Sequence, residues 1–297
     1  MRHKVADVGG PVHYMDFGGS GTPLLMVHGL GGSALNWMAV GPELAKSHHA
    51  LALDLAGFGQ TPLYGRAATV TGNSALVLGF IEKVIGEPVL LIGNSMGGYI
   101  SILEAADHPQ WVKSLVLVDP AVPGAHVART QASIIGALAA LSIPGLGASL
   151  LDHRLRGLDG EALVERALAM VTADRKRLDP RIVAAHVKLT QERAHLGRQN
   201  SRAFVQAFRS IGFRLADPRF WSRIARVIAP TLVIHGNDDR VIPVAAAHEL
   251  HRKRPDWTLA VLSGVGHVPM LEVPEVFLEV LTGWMGFKMP LAPAAAS

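Results

Sequence analysis

Short runs of apolar residues recur along the chain, each bounded by glycine, proline or aspartate. Continuous runs of this kind are typical of strands that are buried on both faces of a parallel sheet. They predict strands at 24–27, 50–53, 89–92, 115–118, 231–234 and 259–262. Segments with helical spacing lie between them and predict helices near 71–85, 97–107, 244–254 and 273–285. With an opening antiparallel pair at 4–8 and 11–17, the pattern predicts an α/β fold with a mostly parallel, eight-stranded sheet and helices on both faces.

One long insertion interrupts this alternation of strands and helices. Residues 121–228 show no β-alternation, and their apolar positions recur at helical spacing. The predicted domains are therefore a core of residues 1–120 and 229–288 and an inserted helical lid at 121–228, followed by a disordered tail at 289–297. A helical insertion between two parallel strands would cover the carboxyl ends of the strands, where open α/β sheets bind their ligands.

The lid contains an almost wholly apolar stretch at 133–151. This stretch approaches the length of a membrane-spanning helix, but Gly136, Pro144 and Gly145 interrupt it, which argues against a transmembrane segment. We expect a lid helix that lines an apolar pocket, with a weak contact to a membrane surface as the alternative.

The composition narrows the class of protein. The chain has 297 residues, 49% hydrophobic and 18% charged, which fits one α/β domain with an insertion and excludes disorder for its bulk. It has no cysteine, which excludes disulfides, a thiol nucleophile and cysteine-bound metals. Residues 1–22 contain no apolar run of the kind found in secretory signals, so we expect a cytoplasmic location.

Charge is distributed unevenly along the chain. Residues 121–228 contain 17 Lys and Arg against 8 Asp and Glu, whereas the rest of the chain is net acidic. These basic residues fit solvated helix faces, with attraction to anionic substrates or to a membrane surface as the alternative. The arginines are scattered and no nucleic-acid-binding motif accompanies them, so we expect no nucleic-acid partner. The pattern leaves the oligomeric state open.

The clearest chemical motif is Gly93-Asn94-Ser95-Met96-Gly97-Gly98, which directly follows the predicted strand at 89–92. A G-x-S-x-G sequence between a strand and a helix places the serine on a tight, strained turn, where side chains at the two flanking glycine positions would collide with neighbouring backbone. Ser95 is therefore the candidate nucleophile. The alternative is a serine with a purely structural role in the turn.

A serine hydroxyl needs a base to accept its proton, and the base needs a carboxylate to orient it. In strand–turn–helix sites of this kind the acid and then the histidine follow the serine, each after a later strand. Asp238 and Asp239 follow one later strand, and His267 lies in a glycine-bracketed loop after the next. Asp239, Asp238 and Asp119, the last of which ends an earlier strand, are the candidates for the acid.

Such a site also needs N–H groups aimed at the negative charge that develops on the substrate. Met96, directly after the serine, supplies one candidate amide. Leu30 supplies the other, because the glycines around it in His28-Gly29-Leu30-Gly31-Gly32 allow the backbone to turn. The candidate substrate contacts are Gly29, Asn94 and Trp37. For Trp37 the alternative role is packing in the core.

Motifs for a metal or a cofactor do not accompany these residues. The sequence has no His-Glu-x-x-His, no Walker loop and no G-x-G-x-x-G after the first strand. A serine, a histidine and a carboxylate need no ion to cleave an acyl bond. We therefore predict no cofactor and no metal.

Together these motifs resemble the α/β-hydrolase family, in particular lidded serine hydrolases such as carboxylesterases and meta-cleavage product hydrolases. The resemblance runs from the His-Gly-x-Gly loop at 28–31 to the histidine loop at 264–269. It includes the family's Asp-x-x-Gly-x-Gly loop at 54–59, in which Ala56 replaces the usual arginine. The departure affects one structural contact and no catalytic residue.

The resemblance implies a role for each candidate. Ser95 would be the nucleophile, His267 the general base and acid, and Asp239 the carboxylate that orients the histidine. Leu30 and Met96 would donate to the oxyanion through their backbone amides.

Three functions fit this set of residues. The first is hydrolysis of esters with a hydrophobic acyl or aryl group, which a pocket under the apolar lid would accept. The second is hydrolysis of a carbon–carbon bond in ring-cleavage products of aromatic catabolism, since Asn94 before the serine resembles those enzymes, although Val268 stands where they usually carry a large residue. The third is a ligand-binding protein that uses the fold without turnover.

Overall fold

The structure is a computed structural model. It describes residues 1–124, 143, 147–155 and 159–288. The predicted tail at 289–297 lies outside these residues, as does most of the apolar stretch predicted as a lid helix at 133–151.

The core is one eight-stranded sheet. Its strands are β1 (Arg2–Asp7), β2 (Pro11–Gly18), β3 (Pro23–Val27), β4 (His49–Leu53), β5 (Val89–Asn94), β6 (Val112–Val118), β7 (Thr231–Gly236) and β8 (Thr258–Leu262). They lie in the order β1-β2-β4-β3-β5-β6-β7-β8. The pairs β1–β2 and β2–β4 are antiparallel, and the others are parallel. The predicted fold class is therefore confirmed.

Helices connect the strands, and further helices lie in the described part of the insertion. In the core these are α1 (Gly41–Leu44), α2 (Val70–Phe80), α3 (Met96–Asp107), α9 (Ala245–Lys253), α10 (Pro269–Glu272) and α11 (Pro274–Lys288). Between β6 and β7 lie α4 (Gly147–Leu155), α5 (Gly160–Val171), α6 (Pro180–Glu192), α7 (Arg198–Leu215) and α8 (Phe220–Ile224). Single turns at Ala34–Trp37, Ile81–Ile85, Pro109–Trp111, Arg175–Arg177 and Ala194–Leu196 complete the described elements.

Two apolar clusters cover the two faces of the sheet, because successive residues of a strand point to opposite sides. In β5, Leu91 belongs to one cluster, with Phe80 of α2, and its neighbours Leu90 and Ile92 belong to the other, with Phe277 of α11. Burial of each large side chain of this kind stabilises the fold by about 1.5–3 kcal/mol. The predicted apolar runs in β3 to β7 are fully buried, whereas the run predicted as buried at 259–262 lies in the edge strand β8, where Val261 is 41% exposed.

The helices of the insertion pack on the core by faces that the sequence defines only approximately. Helix α5 is capped by Asp159, whose carboxylate accepts from the Ala162 amide, and it buries Val164 and Leu168. Met170, two residues after Leu168 and therefore on another side of the helix, is 55% exposed. Within the described ranges, every helix is too short or too polar to cross a membrane.

Glu104 is a buried carboxyl group in α3, away from the ends of the strands. Its Oε1 accepts a hydrogen bond from the Ser74 hydroxyl, and its Oε2 has no partner among the residues described. Burial raises the pKa of Glu104 from 4.5 to about 7. Because the folded chain holds this proton more tightly than the unfolded chain, ionisation of Glu104 opposes folding as the pH rises between these two values.

Replacement of Glu104 with glutamine, which resembles the protonated acid, should remove this penalty. We expect Glu104→Gln and the wild type to have similar free energies of unfolding near pH 4.5, and the variant to be more stable by roughly 3 kcal/mol at pH 8. Urea unfolding at both pH values measures the difference. A constant difference between the two proteins from pH 4.5 to pH 8 would contradict the assignment.

Candidate active site

Ser95 lies on a strained turn between β5 and α3. Its φ of 56° and ψ of −118° are values that a residue with a side chain rarely adopts. A Cβ at Gly97 would lie 2.4 Å from the Val27 carbonyl oxygen, and a Cβ at Gly93 would lie 2.4 Å from the Gly97 oxygen. Both glycines of the motif are therefore required by close backbone packing, which holds the serine at the carboxyl edge of the sheet.

His267 and Asp239 contact each other at the same edge. The His267 Nδ1 donates to the Asp239 Oδ2 over 2.6 Å, and both side chains are buried. The other carboxylate oxygen of Asp239 accepts from the amides of Val241 and Ile242 at 2.7 and 2.9 Å. This arrangement orients the imidazole and leaves its Nε2 without a proton, so that it is able to accept one.

Asn94 ties the serine turn to the histidine loop. Its amide nitrogen donates to the carbonyl oxygens of Val118, at 3.1 Å, and His267, at 3.0 Å. The sequence analysis named Asn94 as a substrate contact. The structure instead places it 2% exposed, as a link between two loops whose residues are 173 positions apart.

The other two candidate acids have different surroundings. Asp238 is exposed, and its backbone amide donates to the Val265 oxygen. Asp119 is fully buried at the end of β6 with a φ of 45°, and its Oδ1 accepts from the Gly236 amide at 2.9 Å. Of the three carboxylates, Asp239 is the one hydrogen-bonded to His267.

Asp119 and Asp239 form one electrostatic unit with His235. The His235 Nε2 donates to the Ile242 carbonyl oxygen at 2.9 Å and lies 3.5 Å from Asp119 Oδ1 and 3.6 Å from Asp239 Oδ2. Burial, reinforced by the charge of Asp239, raises the pKa of Asp119 well above its ordinary value. Burial also opposes ionisation of Asp239, but attraction to His267 and His235 and the hydrogen bond from His267 outweigh it and lower its pKa. Of the two carboxyl groups, Asp239 is therefore the one that ionises more readily.

The same three side chains have ligand atoms close enough to surround a metal ion, all within 4.8 Å of one another. Both oxygens of Asp239 already accept from His267 and from the Val241 and Ile242 amides, and Asp119 Oδ1 accepts from the Gly236 amide, which leaves Asp119 Oδ2 as the one carboxylate oxygen of the cluster without a partner among the residues described. We therefore assign no metal to this cluster.

The two candidate oxyanion donors lie on either side of Ser95. Met96 is the first residue of α3, so its N–H has no acceptor within the helix. Gly29 to Gly32 form a tight turn closed by the hydrogen bond from the Gly32 amide to the Gly29 oxygen, which leaves the Leu30 amide outside it. A Cβ at Gly29 would lie 2.8 Å from the Ser95 Cβ, so this turn approaches the serine directly.

The His28 side chain stabilises that turn through two hydrogen bonds. Its Nδ1 donates to the Gly29 oxygen at 2.7 Å, and its Nε2 accepts from the Leu55 amide at 3.0 Å. Burial lowers the pKa of His28, in agreement with a neutral ring. Both ring nitrogens of the histidine are therefore used to shape the loop.

The loop at 54–59 keeps its structure without the family's arginine. The Asp54 carboxylate accepts from the amides of Ala34, at 2.6 Å, and Gln60, at 2.7 Å, and lies 2.6 Å from His13 Nδ1. Ala56 is fully buried. A residue from the insertion also contacts this loop.

That residue is Arg193, at the end of α6. Its guanidinium donates to the carbonyl oxygens of Gly57, at 2.8 Å, and Gly59, and to the Asn200 side chain at 2.6 Å. The sequence analysis did not identify it, because nothing in the local pattern distinguishes it from the other arginines of the insertion. Phe204 of α7 lies close to the turn formed by Gly29 to Gly32, because its ring is 3.3 Å from the position of a Cβ on Gly31.

Glu272 is a second residue that the sequence analysis missed. Its buried carboxylate accepts from the amides of Gly266, Ala173 and Asp174 at 2.9–3.0 Å, and Arg177 lies 3.5 Å away. The His267 amide also donates to the Val171 oxygen at 2.7 Å. The insertion is thus hydrogen-bonded to the histidine loop itself.

Trp37 lies in the core. It is 0% exposed and belongs to the cluster on the α11 face of the sheet, so packing, the alternative left open for it, describes its position. We assign it no contact with substrate.

The chain is similar to known proteins over most of its length. Residues 24–280 match the model of the Alpha/beta hydrolase family. The 2-hydroxy-6-oxo-6-(2'-aminophenyl)hexa-2,4-dienoic acid hydrolase of Metapseudomonas resinovorans is 27% identical over 282 residues, 94% of this chain and 89% of the relative. The pimeloyl-(acyl-carrier protein) methyl ester esterase of Aeromonas hydrophila subsp. hydrophila is 25% identical over 271 residues, 90% of this chain and 97% of the relative.

Among solved structures, a serine hydrolase involved in carbazole degradation has the same fold. Its TM-score is 0.73 at 23% identity, with 96% of this chain and 99% of that chain covered. Fold and site thus define a hydrolase. The chain belongs to the α/β-hydrolase family, and the predicted family and fold class are both confirmed.

Proposed function

We propose that this chain is a serine hydrolase that cleaves carboxylic esters with a hydrophobic acyl or aryl group. The observation that carries the proposal is the buried hydrogen bond from His267 to Asp239, at the sheet edge where Ser95 stands on its strained turn. An imidazole held in this tautomer is suited to accept a proton from a serine hydroxyl.

The reaction follows from these positions. Ser95 Oγ attacks the ester carbonyl carbon as its proton passes to His267 Nε2, and the negative charge moves to the carbonyl oxygen. The amides of Leu30 and Met96 bind that oxygen. His267 then protonates the leaving alcohol, and an acyl group remains on Ser95. A water molecule, deprotonated by His267, attacks the acyl carbon; the bond from that carbon to Ser95 Oγ then breaks, His267 returns the proton to Oγ, and the acid is released. Asp239 stabilises the imidazolium in both halves of the reaction.

The apolar character of the substrate is supported by the surfaces around the turn. Leu30 is partly buried against the core cluster, and Phe204 of α7, which stacks with Phe208, covers Gly31 from the insertion. The relative from Aeromonas hydrophila is an esterase.

Cleavage of a carbon–carbon bond in a dienol ring-cleavage product is the second candidate. It is favoured by the relative from Metapseudomonas resinovorans, which is a hydrolase of such a compound and covers nearly the whole chain. Arg193, which contacts the 54–59 loop, is already bound to two backbone carbonyls and to Asn200, so this arginine does not offer a free guanidinium to a substrate carboxylate.

One comparison distinguishes the two candidates. The wild type is assayed on p-nitrophenyl esters from acetate to palmitate and, in parallel, on a 2-hydroxy-6-oxohexa-2,4-dienoate. We expect the larger kcat/KM on an ester of intermediate or long chain, and the chain length at the maximum gives the size of the acyl pocket. A larger kcat/KM on the dienoate would replace the ester by the carbon–carbon substrate. Absence of turnover on both would favour a binding protein.

A further inference from the structure

A cavity of about 360 Å³ lies between α4 and α7, inside the insertion. Arg198, Arg202 and Arg209 line it from α7, together with Gln206, and Ser149 lines it from α4. The three arginines share one face of α7 because their spacings of four and seven residues bring side chains to the same side of a helix. Neither Ser95 nor His267 is among the described residues that line this cavity.

These arginines differ from most others in the insertion. The arginines with carboxylate partners are Arg175 with Glu165, Arg177 with Asp174 and Glu272, Arg181 with Asp179, Arg214 and Arg219 with Asp217, and Arg223 and Arg226 with Asp107. Within the residues described, no carboxylate pairs with Arg198, Arg202 or Arg209, and the buried Nε of Arg209 has no hydrogen-bond acceptor.

The two helices that line the cavity supply almost no negative charge to balance these three arginines. Helix α7 contains no acidic residue, and α4 contains one, Asp152, which does not line the cavity. The segments that lie outside the described residues contain neither Asp nor Glu. The first turn of α4, Gly147 to Ser149, also borders the cavity, and a helix N-terminus carries partial positive charge on its free N–H groups.

We infer that this cavity binds the phosphate or carboxylate group of a small soluble ligand. Guanidinium groups with unused N–H donors suit such oxyanions, because their planar fork donates two parallel hydrogen bonds to a pair of oxygens. The Ser149 hydroxyl and the Gln206 side chain offer further donors, and Val205 and Ile143 provide apolar walls for the rest of the ligand. The ligand is therefore an anion with an apolar part.

Inorganic phosphate is the probe. It is titrated into the full-length protein by isothermal calorimetry in a low-salt buffer at pH 7, and we expect saturable binding at one site. The variant Arg202→Gln/Arg209→Gln should bind phosphate at least about tenfold more weakly, because it removes two charged donors. The matched control is Arg166→Gln on α5, an exposed arginine that does not line the cavity and should bind within about twofold of the wild type.

Saturable phosphate binding that Arg202→Gln/Arg209→Gln weakens and Arg166→Gln preserves supports the site. Binding that does not saturate, or that falls equally in both variants, overturns it. The thermal midpoint of each variant shows whether it is folded, and Arg202→Gln alone, at an exposed position, serves if the double variant is not. The titration needs no turnover, so a protein that hydrolyses esters but binds no phosphate refutes this site and leaves the proposed function intact.

Discussion

Ser95→Ala is expected to lower kcat on p-nitrophenyl esters by roughly 10⁴-fold or more, to the level that binding and the oxyanion amides provide alone. The loss is large because the serine oxygen forms the covalent bond on which both halves of the reaction depend. KM should change little, since the hydroxyl contributes little to ground-state binding. Steady-state kinetics of the variant beside the wild type measures both constants.

A second serine in α3 provides the matched control for Ser95→Ala. Ser101 is buried, and its hydroxyl donates to the Gly97 carbonyl oxygen at 2.8 Å, so it supports the turn without facing the substrate. Ser101→Ala should cost about 1 kcal/mol of stability and leave kcat within tenfold of the wild type. Equal losses in the two variants would show that α3 is simply sensitive to substitution, and an active Ser95→Ala protein would refute the nucleophile.

Asp239→Asn should reduce kcat by about 10⁴-fold, because an amide in place of the carboxylate favours the wrong tautomer of His267 and does not stabilise the imidazolium. Asp238→Asn should leave kcat within about twofold, since its side chain is exposed at the surface. Kinetics of the two variants on one ester tests both expectations, and the two aspartates are adjacent and therefore closely matched.

Asp119→Asn distinguishes the remaining candidate. Burial raises the pKa of Asp119, which favours its protonated form, and asparagine resembles a protonated acid while still accepting from the Gly236 amide, so the expected loss in kcat is less than tenfold. A loss as large as that of Asp239→Asn would move the role of the triad acid to Asp119. A large loss in Asp238→Asn would contradict the position of that residue in the structure.

Much of the core could be predicted from the sequence. The apolar runs predicted strands that the structure places within one to three residues at each end, for example 24–27 against Pro23–Val27. The helix predicted at 97–107 begins one residue earlier, at Met96. These elements could be predicted because a strand buried on both faces has to be apolar at every position, and a helix that covers a sheet repeats its apolar residues every three or four positions.

The insertion was predicted as helical, but its contacts were not. Helix α5 buries Val164 and Leu168 and leaves Met170 exposed although all three are apolar, since the buried face depends on where the helix meets the core. Arg193 donates to the carbonyl oxygens of Gly57 and Gly59, about 135 positions earlier in the chain, a contact that no local pattern predicts.

The sequence by itself determined the fold class, the family and the position of Ser95. Each is set by residues close together in the chain. The turn that carries the serine requires glycine at positions 93 and 97, because a Cβ at either position would collide with backbone atoms. Only the tertiary structure decided which aspartate contacts His267, that Asn94 links two loops, and that Trp37 packs in the core. These outcomes depend on the direction in which a side chain leaves its loop and on partners as far as 173 residues away, which no local pattern records.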